Sequence, residues 1–295
     1  MYRRSMGSFI QEPDTPLDER RAAMERIDRL PRPRRVEYVD TRLGGIPAIV
    51  ATPTRVTPER HVLYLHGGGY VVGSARTHIA MCARLAKRAR AEVTAIDYRL
   101  APENPYPAAI DDCVAAYTAL IDRADPRSVT IAGDSAGGGA ALATLCALRD
   151  AGTPLPGATY LISPWTDLTG SGESVSALAD IDPLIDAAWL PNVGREYAGE
   201  FPLDHPGVSP LFADLAGLPP MFVQVGSDEV LLSDSTRLVA RVRAAGGSID
   251  LDVHPGMWHV HQIMPGMPEA TIALTEAAAF IRTKTPSPVQ LDEIG

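Results

Sequence analysis

Ile131-Ala132-Gly133-Asp134-Ser135-Ala136-Gly137-Gly138-Gly139 is the stretch around which this 295-residue chain is organised. A short run of strand-forming residues ends at Gly133, and a helical run rich in Ala and Leu begins after the three glycines. The pattern G-x-S-x-G at such a junction predicts a sharp strand-to-helix turn with Ser135 exposed at its tip. Glycine is needed at positions 133 and 137 because a Cβ there would collide with nearby backbone. The stretch therefore predicts a nucleophilic serine.

The region after residue 60 alternates short apolar runs with longer Ala-rich runs. Such alternation predicts βαβ crossovers and a mainly parallel sheet covered by helices on both faces, which is an α/β fold. Reactive groups in such folds gather at the carboxyl ends of the strands. The predicted strands are 62–65, 93–96, 129–132, 158–162, 221–225 and 249–253, and the predicted helices are 75–90, 107–122, 136–150 and 230–245.

Two segments interrupt or precede this alternation. Residues 1–35 are polar and contain a predicted amphipathic helix at 17–30, so we expect a covering segment. A hairpin is predicted from 36–39 and 46–51. The interval 163–220 is far longer than a crossover requires and is expected to be an insertion that covers a cleft. The prediction is one catalytic domain, 36–295, with a cap made by the N-terminal segment and the insertion.

Composition narrows the classes of partner. A formal net charge of -9 argues against nucleic acid or an anionic membrane as the main partner and favours small-molecule chemistry. The basic pair Arg3-Arg4 is not followed by an apolar signal region, so a cytoplasmic location is expected. The apolar stretch 140–148 is shorter than the roughly 20 residues that span a bilayer, so no membrane span is expected. The spacing of the cysteines supports neither disulfides nor a zinc site: Cys82, Cys113 and Cys146.

The run His66-Gly67-Gly68-Gly69-Tyr70 follows the first strand of the alternating series. Attack by a serine on an ester carbonyl creates an oxyanion, which backbone N–H groups can stabilise if the chain comes close enough. The predicted donors are the amides of Gly68, Gly69 and Ala136. A phosphate cradle is disfavoured because a G-x-G-x-x-G pattern starting at Gly67 would need glycine at position 72, which is Val72.

A serine nucleophile needs a base and an acid that orients it. Asp228 follows the strand 221–225 and is predicted to be the acid, with Glu229 and Asp234 as rivals. Glu229 is expected to point elsewhere if the next helix starts at that residue. Asp234 is expected to lie one turn into that helix.

The base is predicted to be His259, in the loop after the last strand. A glycine-containing segment precedes it and lets its ring reach the sheet edge, in the chain order Ser, Asp, His. His261 is the second choice, and His254 also competes. The histidines without such a context are assigned structural roles: His61, His78 and His205.

These motifs together resemble the hormone-sensitive-lipase group of α/β-hydrolase carboxylesterases, over about residues 35–285. The glycine run after His66, the pentapeptide around Ser135, the Asp228/His259 pair and the segment Tyr98-Arg99-Leu100-Ala101-Pro102-Glu103 are similar to that group in order. The resemblance implies hydrolysis of short-acyl esters through an acyl-enzyme, with oxyanion donors at the three amides named above. It implies no metal and no organic cofactor. Many members dimerise, and this sequence leaves the oligomeric state open.

The substrate pocket is the least determined part of the site. Its apolar walls are predicted from four side chains, each of which core packing would explain equally well: Tyr70, Trp189, Met257 and Trp258. An amidase or a lactonase would use the same motifs. A ligand-binding protein that lacks turnover is the remaining alternative on this fold.

Overall fold

The computed structural model describes residues 15–285 and contains one eight-stranded sheet. The strand order is β1-β2-β4-β3-β5-β6-β7-β8. β1 pairs antiparallel with β2, and β2 with β4, whereas every other neighbouring pair is parallel. The strands are β1 (Val36–Leu43), β2 (Ile46–Pro53), β3 (His61–Leu65), β4 (Glu92–Ile96), β5 (Val129–Asp134), β6 (Ala158–Ile162), β7 (Met221–Gly226) and β8 (Ile249–His254).

Helices cover both faces of this sheet. Alternate residues of the central strand β3 enter two different buried clusters, since successive side chains of a strand point to opposite faces. Leu63 packs with α3, α4 and the insertion, and Tyr64 packs with α2 and α8. The helices are α1 (Leu17–Glu25), α2 (Ala75–Ala89), α3 (Ala108–Ile121), α4 (Ala136–Asp150), α5 (Glu173–Ala177), α6 (Leu190–Ala198), α7 (Leu232–Ala244) and α8 (Pro268–Lys284).

The predicted fold class is confirmed, and the hairpin, the six later strands and the four helical runs are all present. The helix predicted at 17–30 ends as α1 at Glu25 and continues as a 3-10 turn, Arg26–Arg29. The predicted N-terminal segment begins at residue 1, so its residues 1–14 lie outside the described residues, as do 286–295 of the predicted catalytic domain. Within residues 15–285, no helix is long and apolar enough to cross a membrane.

Polar contacts hold α1 against the rest of the chain. The Arg21 guanidinium donates to both carboxylate oxygens of Glu103 at 2.7 Å, and to the carbonyls of Val71 and Ala101. The N-terminal segment is therefore anchored close to the glycine run that follows β3.

The insertion is packed into the core. It carries α5 and α6, and its side chains Leu168, Val193 and Tyr197 are at most 1% exposed within the same cluster as α3 and α4. It therefore shares its core with the sheet.

Candidate active site

Ser135 lies between the last residue of β5 and the first residue of α4. Its backbone has φ 54° and ψ −123°, a strained conformation for a residue with a side chain. A Cβ added at Gly133 would lie 2.3 Å from the Gly137 carbonyl oxygen, and one at Gly137 would lie 2.1 Å from that of Leu65. The two glycines therefore permit the close backbone approach that the sequence pattern predicts.

The His259 ring is held by a carboxylate. Its Nδ1 lies 2.7 Å from Oε2 of Glu229, and the two residues are 8% and 0% exposed. Burial disfavours the charged ring, but the hydrogen bond and the negative charge of Glu229 outweigh it and raise the pKa of His259. This carboxylate keeps the proton on Nδ1, which leaves Nε2 as the basic nitrogen.

The carboxylate that pairs with His259 is Glu229, whereas the sequence analysis predicted that Asp228 would orient this ring. The carboxylate of Asp228 accepts a hydrogen bond from Ser227 Oγ at 2.8 Å, and its backbone N–H donates to the Met257 carbonyl. The expectation assumed that the helix starts at residue 229. It starts at Leu232 instead, so residues 227–231 form a turn that directs Glu229 inward.

The rival acid and the rival histidines lie in other surroundings. Asp234 accepts hydrogen bonds from the amides of Thr166 and Asp167, at 2.7 and 2.8 Å, at the start of the insertion. His254 pairs with Asp252, and its ring packs against that of His261. Of the three histidines that competed as base, only His259 lines the cavity that contains Ser135, within the described part of the chain.

The glycine run after β3 leaves two amides available. Its Gly67 N–H donates to the Asp134 carboxylate at 3.1 Å. The N–H groups of Gly68 and Gly69 have no protein acceptor within residues 15–285, and both glycines line the Ser135 cavity. Ala136 is the first residue of α4, so its N–H has no acceptor within the helix. The three amides predicted as oxyanion donors are thus without a backbone acceptor in the described part of the chain.

Sequence reasoning missed a buried hydrogen-bond network beneath the turn that carries Ser135. The Asp134 carboxylate accepts hydrogen bonds from Gly67 N–H and from Tyr64 Oη at 2.7 Å, and it pairs with His78 Nε2 at 3.2 Å. His78 was assigned a structural role, yet it also lines the cavity. Asp134 therefore ties the nucleophile turn to the glycine run. The position of Asp134 inside the G-x-S-x-G pattern was the available signal.

Arg84 of α2 is a second side chain that the sequence did not indicate. Its guanidinium donates to three successive carbonyls, those of Gln262 at 2.9 Å, Ile263 at 2.6 Å and Met264 at 2.9 Å. These residues directly follow the loop that carries His259. Arg84 thus anchors the C-terminal end of that loop to the helix layer.

The cavity beside Ser135 measures about 290 Å³ and has mostly apolar walls. The sequence-predicted Trp189 is one of them. Tyr70 instead packs in the core, where its ring stacks on that of Tyr197 with centroids 3.6 Å apart. Met257 and Trp258 do not line the cavity either, so other side chains form most of its wall. The apolar lining comes from α1 and its 3-10 turn, the insertion and the His259 loop: Met24, Ile27, Leu30, Leu184, Ile185, Trp189, Val260, Ile263 and Met264.

A more open depression of about 490 Å³ lies beside α1, between Arg21 and Asn104. It contains none of the candidate catalytic residues. The 290 Å³ cavity is lined by the strained Ser135, by His259 with its paired carboxylate, and by the two glycines whose amides could bind an oxyanion. Such a set of groups is suited to nucleophilic acyl transfer.

Comparisons with known proteins agree with the α/β-hydrolase fold of this chain. A family model described as an alpha/beta hydrolase fold matches residues 62–263. The chain is 42% identical over 269 residues to an acetyl-hydrolase of Streptomyces hygroscopicus, covering 86% of this chain and 90% of the relative. It is 38% identical over 222 residues to an esterase of Acinetobacter venetianus, covering 74% and 73%. The crystal structure of a hormone-sensitive lipase from a metagenome library superposes with a TM-score of 0.93 at 42% identity, covering 96% of each chain.

Proposed function

The chain belongs to the hormone-sensitive-lipase group of the α/β-hydrolase family and is a carboxylic ester hydrolase, and from this premise we propose that it cleaves short-acyl esters through an acyl-enzyme on Ser135. The observation that carries the proposal is the pairing of His259 with the buried Glu229 in the cavity that contains the strained Ser135. A carboxylate-held imidazole beside a serine supplies the base that the hydroxyl lacks.

In the acylation step, His259 Nε2 takes the proton of Ser135 Oγ as that oxygen attacks the ester carbonyl. The amides of Gly68, Gly69 and Ala136 donate to the oxyanion of the tetrahedral intermediate. When the intermediate collapses, the C–O bond to the alcohol breaks and the protonated ring gives its proton to the departing oxygen.

Deacylation repeats the sequence with water. His259 takes a proton from the water as the water oxygen attacks the acyl carbon. The bond between that carbon and Ser135 Oγ then breaks, the protonated ring returns its proton to Oγ, and the acid leaves. Glu229 orients the ring of His259 and stabilises the imidazolium in both steps, in the role that the sequence analysis gave to Asp228.

The preference for short acyl groups rests on the size and lining of the cavity. Its volume of about 290 Å³ lies at the lower end of the range for small-molecule sites, roughly 300 to 1,000 Å³. The Trp189 ring contributes to this limit because it lies against Gly69, 3.1 Å from where a Cβ of Gly69 would be. An acyl chain that extends past Gly69 meets this ring.

The nucleophile is tested by Ser135→Ala with p-nitrophenyl acetate, butyrate and octanoate. We expect kcat to fall by about 10⁵ to 10⁶, as for loss of a serine nucleophile elsewhere. Ser176→Ala, in an exposed position of α5, is the matched control and should turn over like the unaltered protein. Retained turnover in Ser135→Ala rejects the serine mechanism.

Substrate size is tested by Trp189→Ala with the same three esters. Removing the ring should raise the octanoate-to-acetate ratio of kcat/KM by about tenfold or more, given roughly 1 to 3 kcal/mol for filling space of a few methylene groups. An unchanged ratio means that this side chain does not limit the acyl group. Matched amide and lactone substrates in the same assay determine whether the ester is the preferred class.

A further inference from the structure

We propose that Asp252, His254 and Glu276 form a binding site for a zinc-type divalent cation, separate from the esterase site. The cluster lies on β8, the edge strand of the sheet, and on α8, which packs against the neighbouring strands. Asp252 and His254 are two residues apart on the strand and therefore face the same side. None of the three lines the cavity around Ser135.

The ligand atoms are close enough to share one ion. One nitrogen or oxygen atom from each of the three side chains lies within 4.8 Å of the other two. His254 Nε2 is 3.0 Å from Asp252 Oδ2. Ligands bonded to zinc at about 2.0 to 2.2 Å in a tetrahedral arrangement are roughly 3.4 Å apart, so only small side-chain movements are needed.

The charges around the cluster also favour a cation. Asp252 and Glu276 are neighbouring carboxylates, and no Lys or Arg forms an ion pair with either of them in the described part of the chain. Two such groups repel one another unless a proton or a cation lies between them. The Asp252 side chain is 36% exposed, which gives an ion a path from solvent.

Buried imidazole nitrogens without hydrogen bonds are the independent observation. His254 is 8% exposed, and its Nε2 contacts Asp252 Oδ2 at 3.0 Å but makes no hydrogen bond of normal geometry within residues 15–285. The His261 ring, fully buried with its centroid 4.7 Å from that of His254, likewise has no such bond at either nitrogen within residues 15–285. Buried polar atoms without partners are costly, and coordination of a cation by His254 Nε2 removes part of that cost.

The donor set selects the type of cation. One imidazole with two carboxylates suits zinc and related transition metals, whereas calcium and magnesium prefer all-oxygen sites. Water would complete the tetrahedron, since the protein supplies three ligands. The bound cation would join β8 to α8 at the base of the loop that carries His259.

The proposal is tested by calorimetric titration of the chelator-treated full chain with Zn²⁺ and with Mg²⁺. We expect one Zn²⁺ per chain and no saturable Mg²⁺ binding, and Co²⁺ should give the visible absorption of a site with nitrogen and oxygen ligands. Glu276→Gln and Asp252→Asn each remove a charged ligand with little change of shape, and each should weaken zinc binding at least tenfold, as losses in the surroundings of metal sites do. Glu269→Gln, on the same helix α8, is the control and should bind zinc like the unaltered protein.

Zinc should also raise the Tm of the unaltered protein and of the control more than that of Glu276→Gln. The proposal is overturned if the unaltered chain binds no stoichiometric zinc. It is also overturned if either ligand variant that retains the native circular dichroism spectrum binds zinc as tightly as the control. Ser135→Ala keeps all three ligands, so it should bind zinc normally while lacking turnover, which separates a failure of this site from a failure of the esterase mechanism.

Discussion

Replacing Glu229 by Gln is the change that tests the site most directly, because the structure determines how the new amide would be oriented. Oε1 of Glu229 accepts hydrogen bonds from the Gly226 amide and from Ser163 Oγ. Ser163 Oγ in turn accepts from the Val260 N–H, so its own proton is directed to the carboxylate. The backbone donor at Gly226 cannot be reversed. The amide oxygen of glutamine must therefore take the Oε1 position.

The amide nitrogen then faces His259 Nδ1, where Glu229 Oε2 now lies at 2.7 Å. An N–H donor at that position requires Nδ1 to be the acceptor, so the ring proton moves to Nε2. A ring protonated on Nε2 cannot take the proton of Ser135. From the same loss of tautomer in serine hydrolases generally, we expect kcat to fall by about 10³ to 10⁴, equivalent to about 4 to 5.5 kcal/mol of transition-state stabilisation.

The assay is steady-state hydrolysis of p-nitrophenyl butyrate by Glu229→Gln and by the matched Asp228→Asn. Asp228 accepts a hydrogen bond from Ser227 Oγ and does not line the Ser135 cavity, so its variant should retain kcat within about twofold. KM should change little in either variant, because neither carboxylate lines the cavity wall. The reasoning fails if Asp228→Asn loses activity and Glu229→Gln keeps it.

Three further outcomes follow from the same geometry. Since the pKa of His259 is raised and its protonated form is inactive, kcat/KM should fall on acidification with a midpoint above about 6.5; a midpoint below 6 in the pH profile would contradict this. Gly69→Ala places a Cβ 2.9 Å from a Val193 methyl in a backbone conformation with φ +62°, and it should lower kcat at least about tenfold. Gly152→Ala is the control: it has a similar φ of +68° but open space around it, so it should lower stability and leave kcat unchanged. Burial raises the pKa of Asp234 to about 7, so the native state holds a proton that the unfolded state loses near pH 4. The free energy of unfolding should therefore fall by about 3 kcal/mol from pH 4 to 7 through this group, and urea denaturation of Asp234→Asn should show a flatter pH profile.

The glycine-flanked turn at Ser135 was predictable from the sequence because it depends on local backbone sterics. Only glycine fits at positions 133 and 137, where a side-chain carbon would lie within 2.3 Å of a carbonyl oxygen, and such a requirement leaves a mark in the sequence. That His259 lies in the same cavity as Ser135 was predictable for a related reason, since it follows a strand whose carboxyl end must lie at the same edge of the sheet.

The carboxylate that pairs with His259 was not predictable in the same way. Asp228 and Glu229 are neighbours, and the choice between them depends on whether the helix starts at residue 229 or at Leu232. That start is determined by tertiary contacts rather than by a strong local signal, since α7 has no side-chain cap. A shift of a few residues in a helix start changes which carboxylate points inward.

The cavity wall shows the same dependence on long-range packing. Tyr70 lies two residues from Gly68, yet its ring stacks on Tyr197 of the insertion and is 1% exposed. Met24 and Ile27, from the N-terminal segment, line the cavity more than a hundred residues before Ser135. An apolar side chain carries no local mark that distinguishes core packing from substrate contact.

The sequence by itself therefore determined the α/β order of elements, the turn at Ser135, the glycine run after β3 and the position of the loop that carries His259. Only the tertiary structure decided that Glu229 pairs with His259 and that Asp134 connects the turn at Ser135 to the glycine run and to His78. It also decided that α1 and the insertion form the wall of the cavity. The physical reason is the distance along the chain over which each interaction acts. Backbone strain and strand periodicity act over a few residues and restrict residue types, whereas the direction of a side chain is set by contacts with residues distant in the sequence.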